Sequence, residues 1–427
     1  MLARVGAERI EDLFDAVPAA LRAKASLALG APRSEREVLE ELRGYAAANR
    51  APAPGRSFLG AGAYRHYVPA AVDALASRGE FATTYTPYQA EIAQGTLQWI
   101  FEFQSLVCQL TGLDVANASL YDGASATAEA ALLALRVTRR AKLAVSEGLH
   151  PSYREVLATY ASGLGSELVS LPLGPDGRTR AERVPADVAA VVVQSPNFFG
   201  CVEDFAPLAE AAHAAKALAI HVTTEPLALA LLRAPGEVGA DVACGELQGF
   251  GVPTSFGGPY VGFLSAREAQ LRQLPGRLIG ETVDADGRRA FAMTLVTREQ
   301  HIRREKATSN ICTNQGLMAL RATIYLALLG RRGLRDLALA NLSLAQYARE
   351  KLRAAGLDPV YDAPVFNEFA VRVPGLEQRF ERLLAQGVIA GLPLARFDAA
   401  RTDQLLVCTT EWNRKADIDR LVAGLAG

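Results

Sequence analysis

The chain has 427 residues, 50% of them hydrophobic and 21% charged, which is long enough for about two or three packed units with sizeable cores. Its formal net charge of -1, without any basic run interleaved with aromatics, gives no reason to expect nucleic acid or an anionic membrane surface as partner. No stretch reaches the roughly 18 apolar residues that span a bilayer, and the first 14 residues lack a signal-peptide core, so a cytoplasmic protein is expected.

Cys108, Cys201, Cys244, Cys312 and Cys408 are scattered, odd in number and form no C-x-x-C pair. They fit a reducing compartment and argue against a disulfide framework or a structural zinc site; no metal is expected. The first 50 residues read as helices. Ser34-Glu35-Arg36-Glu37 is a capping box, followed by an apolar stripe of Val38, Leu39 and Leu42 that must pack on something. Pro52-Ala53-Pro54-Gly55 then breaks the pattern. The segment before it is either an arm that wraps a partner or a cap on its own domain.

Residues 89–110 form a long amphipathic helix, with Gly112 placed to stop it. Short apolar runs follow at 142–145, 167–171, 189–194, 217–222 and 241–244, separated in several places by helical stretches (126–139, 152–161, 206–216). Continuous apolar strands joined by helices imply an α/β fold with a mostly parallel sheet covered on both faces. Residues 260–265 are read as an added edge strand. After Ile311 the character changes to two long helices (315–329 and 335–355), strands at 368–373 and 404–409, and a last helix from Lys415. The expected division is an N-terminal helical arm (1–55), a large α/β domain (56–312) and a small C-terminal α+β domain with its linking helix (313–427).

Tyr121-Asp122-Gly123-Ala124-Ser125-Ala126 follows a possible strand (117–120) and opens a helix, where small residues expose backbone N–H groups that can bind phosphate. Downstream, His150 ends a strand, where an imidazole either stacks on an aromatic cofactor or serves as a hydrogen-bonded structural residue. Together they suggest the scaffold of fold-type-I pyridoxal-phosphate enzymes, the transferase-like fold in which a strand-end Asp pairs with the pyridine nitrogen and a later Lys forms the Schiff base. Here the spacing is right and the chemistry is absent. Val222 stands at the aspartate position and cannot balance a pyridinium. Gln248 stands at the lysine position, and its amide nitrogen has no nucleophilic lone pair. The six lysines can be checked in turn. Lys24, Lys216 and Lys351 lie in helices, Lys142 precedes a strand at its wrong end, and Lys415 belongs to the C-terminal unit. Lys306 comes far too late for that position.

Longer motifs point to one family. Phe58-Leu59-Gly60-Ala61-Gly62-Ala63-Tyr64-Arg65-His66-Tyr67-Val68-Pro69 resembles the N-terminal half of glycine decarboxylase, the P protein of the glycine cleavage system. So does Thr84-Tyr85-Thr86-Pro87-Tyr88-Gln89-Ala90-Glu91-Ile92-Ala93-Gln94-Gly95. Ala116-Asn117-Ala118-Ser119-Leu120-Tyr121-Asp122, Ser255-Phe256-Gly257-Gly258-Pro259 and Arg304-Glu305-Lys306-Ala307-Thr308-Ser309-Asn310-Ile311-Cys312-Thr313 match it too. The resemblance runs the whole length of the chain. It implies a first (alpha) subunit of a P protein split into two chains, whose second, lysine-bearing beta subunit binds pyridoxal phosphate, with α2β2 as the family's assembly. It also implies the reaction: glycine loses CO₂ on the cofactor, and its aminomethyl group passes to the lipoyl arm of the H protein.

On this chain no residue is a certain catalyst. The polar-aromatic turn at 83–91 (Tyr85, Thr86, Pro87, Tyr88, Gln89 and Glu91) either reaches a neighbour's pocket or lines a lipoyl channel; the alternative is a structural turn that begins a helix. His66 and Tyr64 are candidates on the same logic. Ala124, Ser125 and His150 mark a vestigial cofactor pocket, with no covalent cofactor expected here. Two rival readings are a free-standing enzyme using Lys306, and a scaffold or regulatory protein with a degenerate pocket.

Overall fold

Strands that are apolar on both faces must be covered on both faces, and the central sheet shows why each run lacks alternation. The computed structural model describes residues 1–25, 28–49 and 51–427. Seven strands, β1 (Val115–Ala116), β2 (Lys142–Ser146), β3 (Glu167–Leu171), β4 (Ala190–Gln194), β5 (Leu218–Thr223), β6 (Val242–Glu246) and β7 (Gly262–Ala266), form one sheet in the order β1-β7-β6-β5-β4-β2-β3. From β3 to β6 the neighbours are parallel; β7 runs antiparallel to both β6 and β1. Leu143, Val145, Val192, Ile220 and Val222 pack on one face against the Gly123–Thr138 and Pro151–Gly163 helices. Ala144, Val191, Val193 and Ala219 pack on the other against Phe205–Ala214. Successive side chains therefore all need to be apolar.

Three expectations need correction. The strand read at 260–265 is not an edge strand, because β1 pairs with its outer side. The strand read at 117–120 is only an isolated bridge from Leu120 to Gly262, with the two-residue β1 just before it. The helix read from residue 89 begins at Gln94, after a 3-10 turn at Ala90–Ile92. It ends at Gly112, whose φ of 64° is the left-handed geometry that glycine adopts without strain.

A hairpin of β8 (Leu278–Val283) and β9 (Arg289–Thr294) was not anticipated. The long Gly316–Ala354 helix breaks at Gly330, which separates the two helices expected there. Its second part and the Leu376–Ala385 and Lys415–Ala426 helices carry a three-stranded antiparallel sheet in the order β10 (Glu368–Arg372), β12 (Gln404–Cys408), β11 (Leu392–Pro393).

The chain separates into two units, Met1–Ala51 and Pro52–Gly427. Within the first, Ser34 and Glu37 form the capping box, and the Glu35–Ala47 helix buries none of its residues. Among the described residues no helix is long and apolar enough to cross a membrane, and no cluster of His, Cys, Asp or Glu is arranged to hold a metal ion.

Candidate functional site

The C-terminal ends of β5 and β6 and the start of the Gly123–Thr138 helix meet beside a cavity of 520 Å³ lined by Ala61–Ala63, Asp122, Ala124, His150 and Glu246. This is the open end of a parallel sheet, where α/β folds place their ligands.

Val222 is wholly buried in the apolar core beneath the Gly123–Thr138 helix, with no polar atom to offer a ring nitrogen. Gln248 is also buried, and its amide is spent on backbone. Its Oε1 accepts from the Tyr64 N–H at 2.8 Å, and its Nε2 donates to the carbonyls of Tyr64 and Val252 at 3.0 and 2.7 Å. The side chain acts as a staple that fixes the 61–68 segment. Among the described residues no lysine is buried and none lines the cavity.

The turn at 121–126 is closed by acids. Asp122 caps the helix through the Ser125 N–H at 2.7 Å. Glu246 Oε2 accepts from the Gly123 N–H at 3.0 Å, and Glu246 Oε1 accepts from Val261, Leu247 and Gln248 N–H at 2.8, 3.1 and 3.1 Å. Burial raises the Glu246 carboxyl to about 7 in spite of these donors. Gly123 tolerates no larger residue, since a Cβ would run into the Tyr153 hydroxyl and the Gly245 backbone.

His150, the predicted stacking residue, caps its helix by accepting from the Ser152 N–H at 3.1 Å through Nδ1. Its Nε2 lies 2.9 Å from the Ala61 carbonyl and donates to it. Burial lowers its pKa, so the ring is a neutral, fully engaged imidazole packed edge-on against Phe198 at 5.0 Å. The cavity contacts Ala124 and His150; Ser125 lies below its surface, buried.

The remaining candidates fall in two other places. Thr84, Tyr85 and Pro87 line a separate 450 Å³ cavity with Trp99, Arg277 and Leu317, which shares the wall residues Pro259 and Gln315 with the first. Tyr85, Tyr88, Gln89 and Glu91 are exposed, Thr86 half-buried and Pro87 buried. Tyr88 meets His301 edge-on at 5.9 Å.

His66 and Tyr64 lie away from that turn, in a buried polar network that sequence reasoning missed. His66 Nε2 faces Glu225 at 3.0 Å, and Nδ1 faces Glu411 at 2.9 Å. Asn367 and Asn341 donate to these same two carboxylates. Burial works to discharge the imidazole, yet the charge and hydrogen bonds of Glu225 and then Glu411 hold its pKa up at about 10. Burial works to raise Glu411, and the His66 contact outweighs it, leaving the carboxyl at about 2. Tyr64 donates to Glu368 at 3.0 Å, a carboxyl that burial raises to about 8. Glu225 follows β5, while Asn367 and Glu411 flank β10 and β12. The network therefore ties the large sheet to the three-stranded sheet through His66.

The family model for the glycine cleavage system P-protein matches residues 1–425. The chain belongs to that family. A relative from Moorella thermoacetica, named "Probable glycine dehydrogenase (decarboxylating) subunit 1", is 52% identical, covering 100% of this chain and 96% of its own. One of the same name from Phenylobacterium zucineum is 53% identical over 100% and 97%. A crystal structure of glycine decarboxylase (P-protein) in inhibitor-bound form superposes with a TM-score of 0.93 at 47% identity, covering 100% and 96% of the two chains. A sphingosine-1-phosphate lyase from Burkholderia pseudomallei, at a TM-score of 0.63 and 17% identity over 96% and 94%, shares the fold alone. As a P-protein chain, this one keeps the scaffold of a cofactor site while the groups that would hold pyridoxal phosphate do not fit it. Val222 offers no counter-charge, Gln248 offers no amine, and the carboxyls of Glu246 and Asp122 occupy N–H donors at the helix start.

Proposed function

We propose that this chain is the alpha subunit of a two-chain glycine decarboxylase in which the partner, beta, carries the lysine and binds pyridoxal phosphate. The observation that carries this reading is Gln248, held by three backbone hydrogen bonds where the family's chemistry requires a free amine. The subunit 1 designation of relatives spanning the whole chain supports a partner subunit, and α2β2 is the assembly we favour. The complex decarboxylates glycine and passes the aminomethyl group to the lipoyl arm of the H protein, in the cytoplasm, where five unpaired thiols persist.

The contribution we assign to this chain is the 83–91 turn. Its exposed Tyr85 and Tyr88, beside a cavity that adjoins the cofactor-type pocket, suit it to close over the partner's site or to line the path of the lipoyl arm. His66 and Tyr64 act apart from it by fixing the 61–68 segment, whose Ala61–Ala63 line the cofactor-type pocket. The test is glycine–bicarbonate exchange by this chain with and without its lysine-bearing partner. Exchange only in the mixture is expected; exchange by this chain alone overturns the reading.

A further inference from the structure

The cofactor-type cavity does more than lack its lysine, because it is filled from within. Four backbone N–H groups from three separate elements converge on the Glu246 carboxylate: the first residue of the Gly123–Thr138 helix, the Leu247–Gln248 turn, and Val261 ahead of β7. Helix N-termini and turns of successive N–H groups are the usual seats of a phosphate. Here a side chain that is 2% exposed occupies one. Asp122 takes a further donor of the same helix, the Ser125 N–H.

We infer that Glu246 is an internal stand-in for a ligand's phosphate and is the residue that keeps phosphorylated cofactor out of this chain. The last consequence, that all pyridoxal phosphate of the assembly loads on the partner, rests on the two-chain reading. The exclusion itself is a property of this chain. A phosphate arriving at Gly123 would have to break the Glu246 contact, and would then face that carboxylate and Asp122 at close range in a poorly solvated site. The 520 Å³ cavity beside it has room for a small ligand, so the occupied donors exclude the phosphate, and lack of space does not. Removing the carboxylate leaves four buried donors in search of an anion, and phosphate is the natural replacement.

A merely structural Glu246 and an excluding Glu246 both predict lost stability on substitution. Only the second predicts gained binding. Full-length wild type, Glu246→Ala and Glu246→Gln are titrated calorimetrically with inorganic phosphate, and then with pyridoxal phosphate, at constant ionic strength in chloride. Wild type is expected to show no saturable phosphate binding. Glu246→Ala is expected to bind phosphate at least about tenfold more tightly than wild type, to bind pyridoxal phosphate without a covalent bond, and to release it when phosphate is added. Glu246→Gln, which keeps the shape and loses the charge, gains less and serves if the alanine variant does not fold. Phosphate binding by wild type in competition with pyridoxal phosphate overturns the inference, as does a folded variant that binds no better than wild type. Counting the cofactor on each chain of the assembled complex tests the two-chain reading separately, whatever the titration shows.

Discussion

Restoring the missing amine by Gln248→Lys is expected to destabilise the protein without creating a working site. The amide makes three buried hydrogen bonds, one as acceptor and two as donor. A lysine can donate to the Tyr64 and Val252 carbonyls but accepts nothing, so the Tyr64 N–H loses its partner. An orphaned buried donor costs about 1–3 kcal/mol. The ammonium must also be desolvated and stays charged only at further cost; a similar sum brings the total to about 2–6 kcal/mol. The substitution adds an amine and no counter-charge for a pyridinium, since Val222 is unchanged. The assay is urea unfolding of wild type and variant followed by two probes, together with glycine–bicarbonate exchange by the variant alone. A midpoint well below that of wild type and no exchange are expected. A variant as stable as wild type, or one that exchanges carbon dioxide without its partner, would refute the staple.

Two further outcomes concern neighbouring groups. His66→Gln removes the cation from between Glu225 and Glu411, and breaking a buried pair from one side costs about 3–5 kcal/mol. The signs of the shifts set its pH window. The His66 pKa lies near 10 in the folded chain against an ordinary 6.5, so its stabilisation is complete below 6.5 and is lost as pH rises through 10. Glu411 lies near 2 against 4.5, so its share is complete above 4.5 and is lost as pH falls through 2. Urea midpoints across pH should show the alkaline loss in wild type and a flatter limb in His66→Gln; parallel curves would contradict the pairing. In the 83–91 turn, Tyr88→Phe or Gln89→Ala should lower turnover of the complex about tenfold, the effect of a transition-state contact worth roughly 1–3 kcal/mol. Assembly, read by size-exclusion chromatography, should be unchanged. A destabilised but fully active complex would make the turn structural only.

The sequence carried the central sheet well because its inner strands are buried on both faces, and runs such as 189–194 admit no other solvation. The β8–β9 hairpin went unread although Asp286-Gly287 is a strong turn signal; the flanking residues are half polar, and β8 is exposed on both faces toward the turn. At the site, the types at Val222 and Gln248 could be read from spacing as an expectation, and the groups packed around them could not. The roles of Glu246, Glu225 and Glu411 depend on backbone donors and an imidazole brought together from positions as far apart as 66 and 411, which no local pattern records. An acid closing an otherwise apolar strand, as Glu246 does after Val242-Ala243-Cys244-Gly245, was the available clue.

The central claim is that the imine-forming lysine of the assembled enzyme belongs to the partner. Co-purified complex is reduced with borohydride in the presence of pyridoxal phosphate, digested, and searched by mass spectrometry for pyridoxyl-lysine on every peptide of both chains. The account predicts a modified lysine on the partner and none at Lys24, Lys142, Lys216, Lys306, Lys351 or Lys415. A stoichiometric pyridoxyl adduct on any of these six would contradict it.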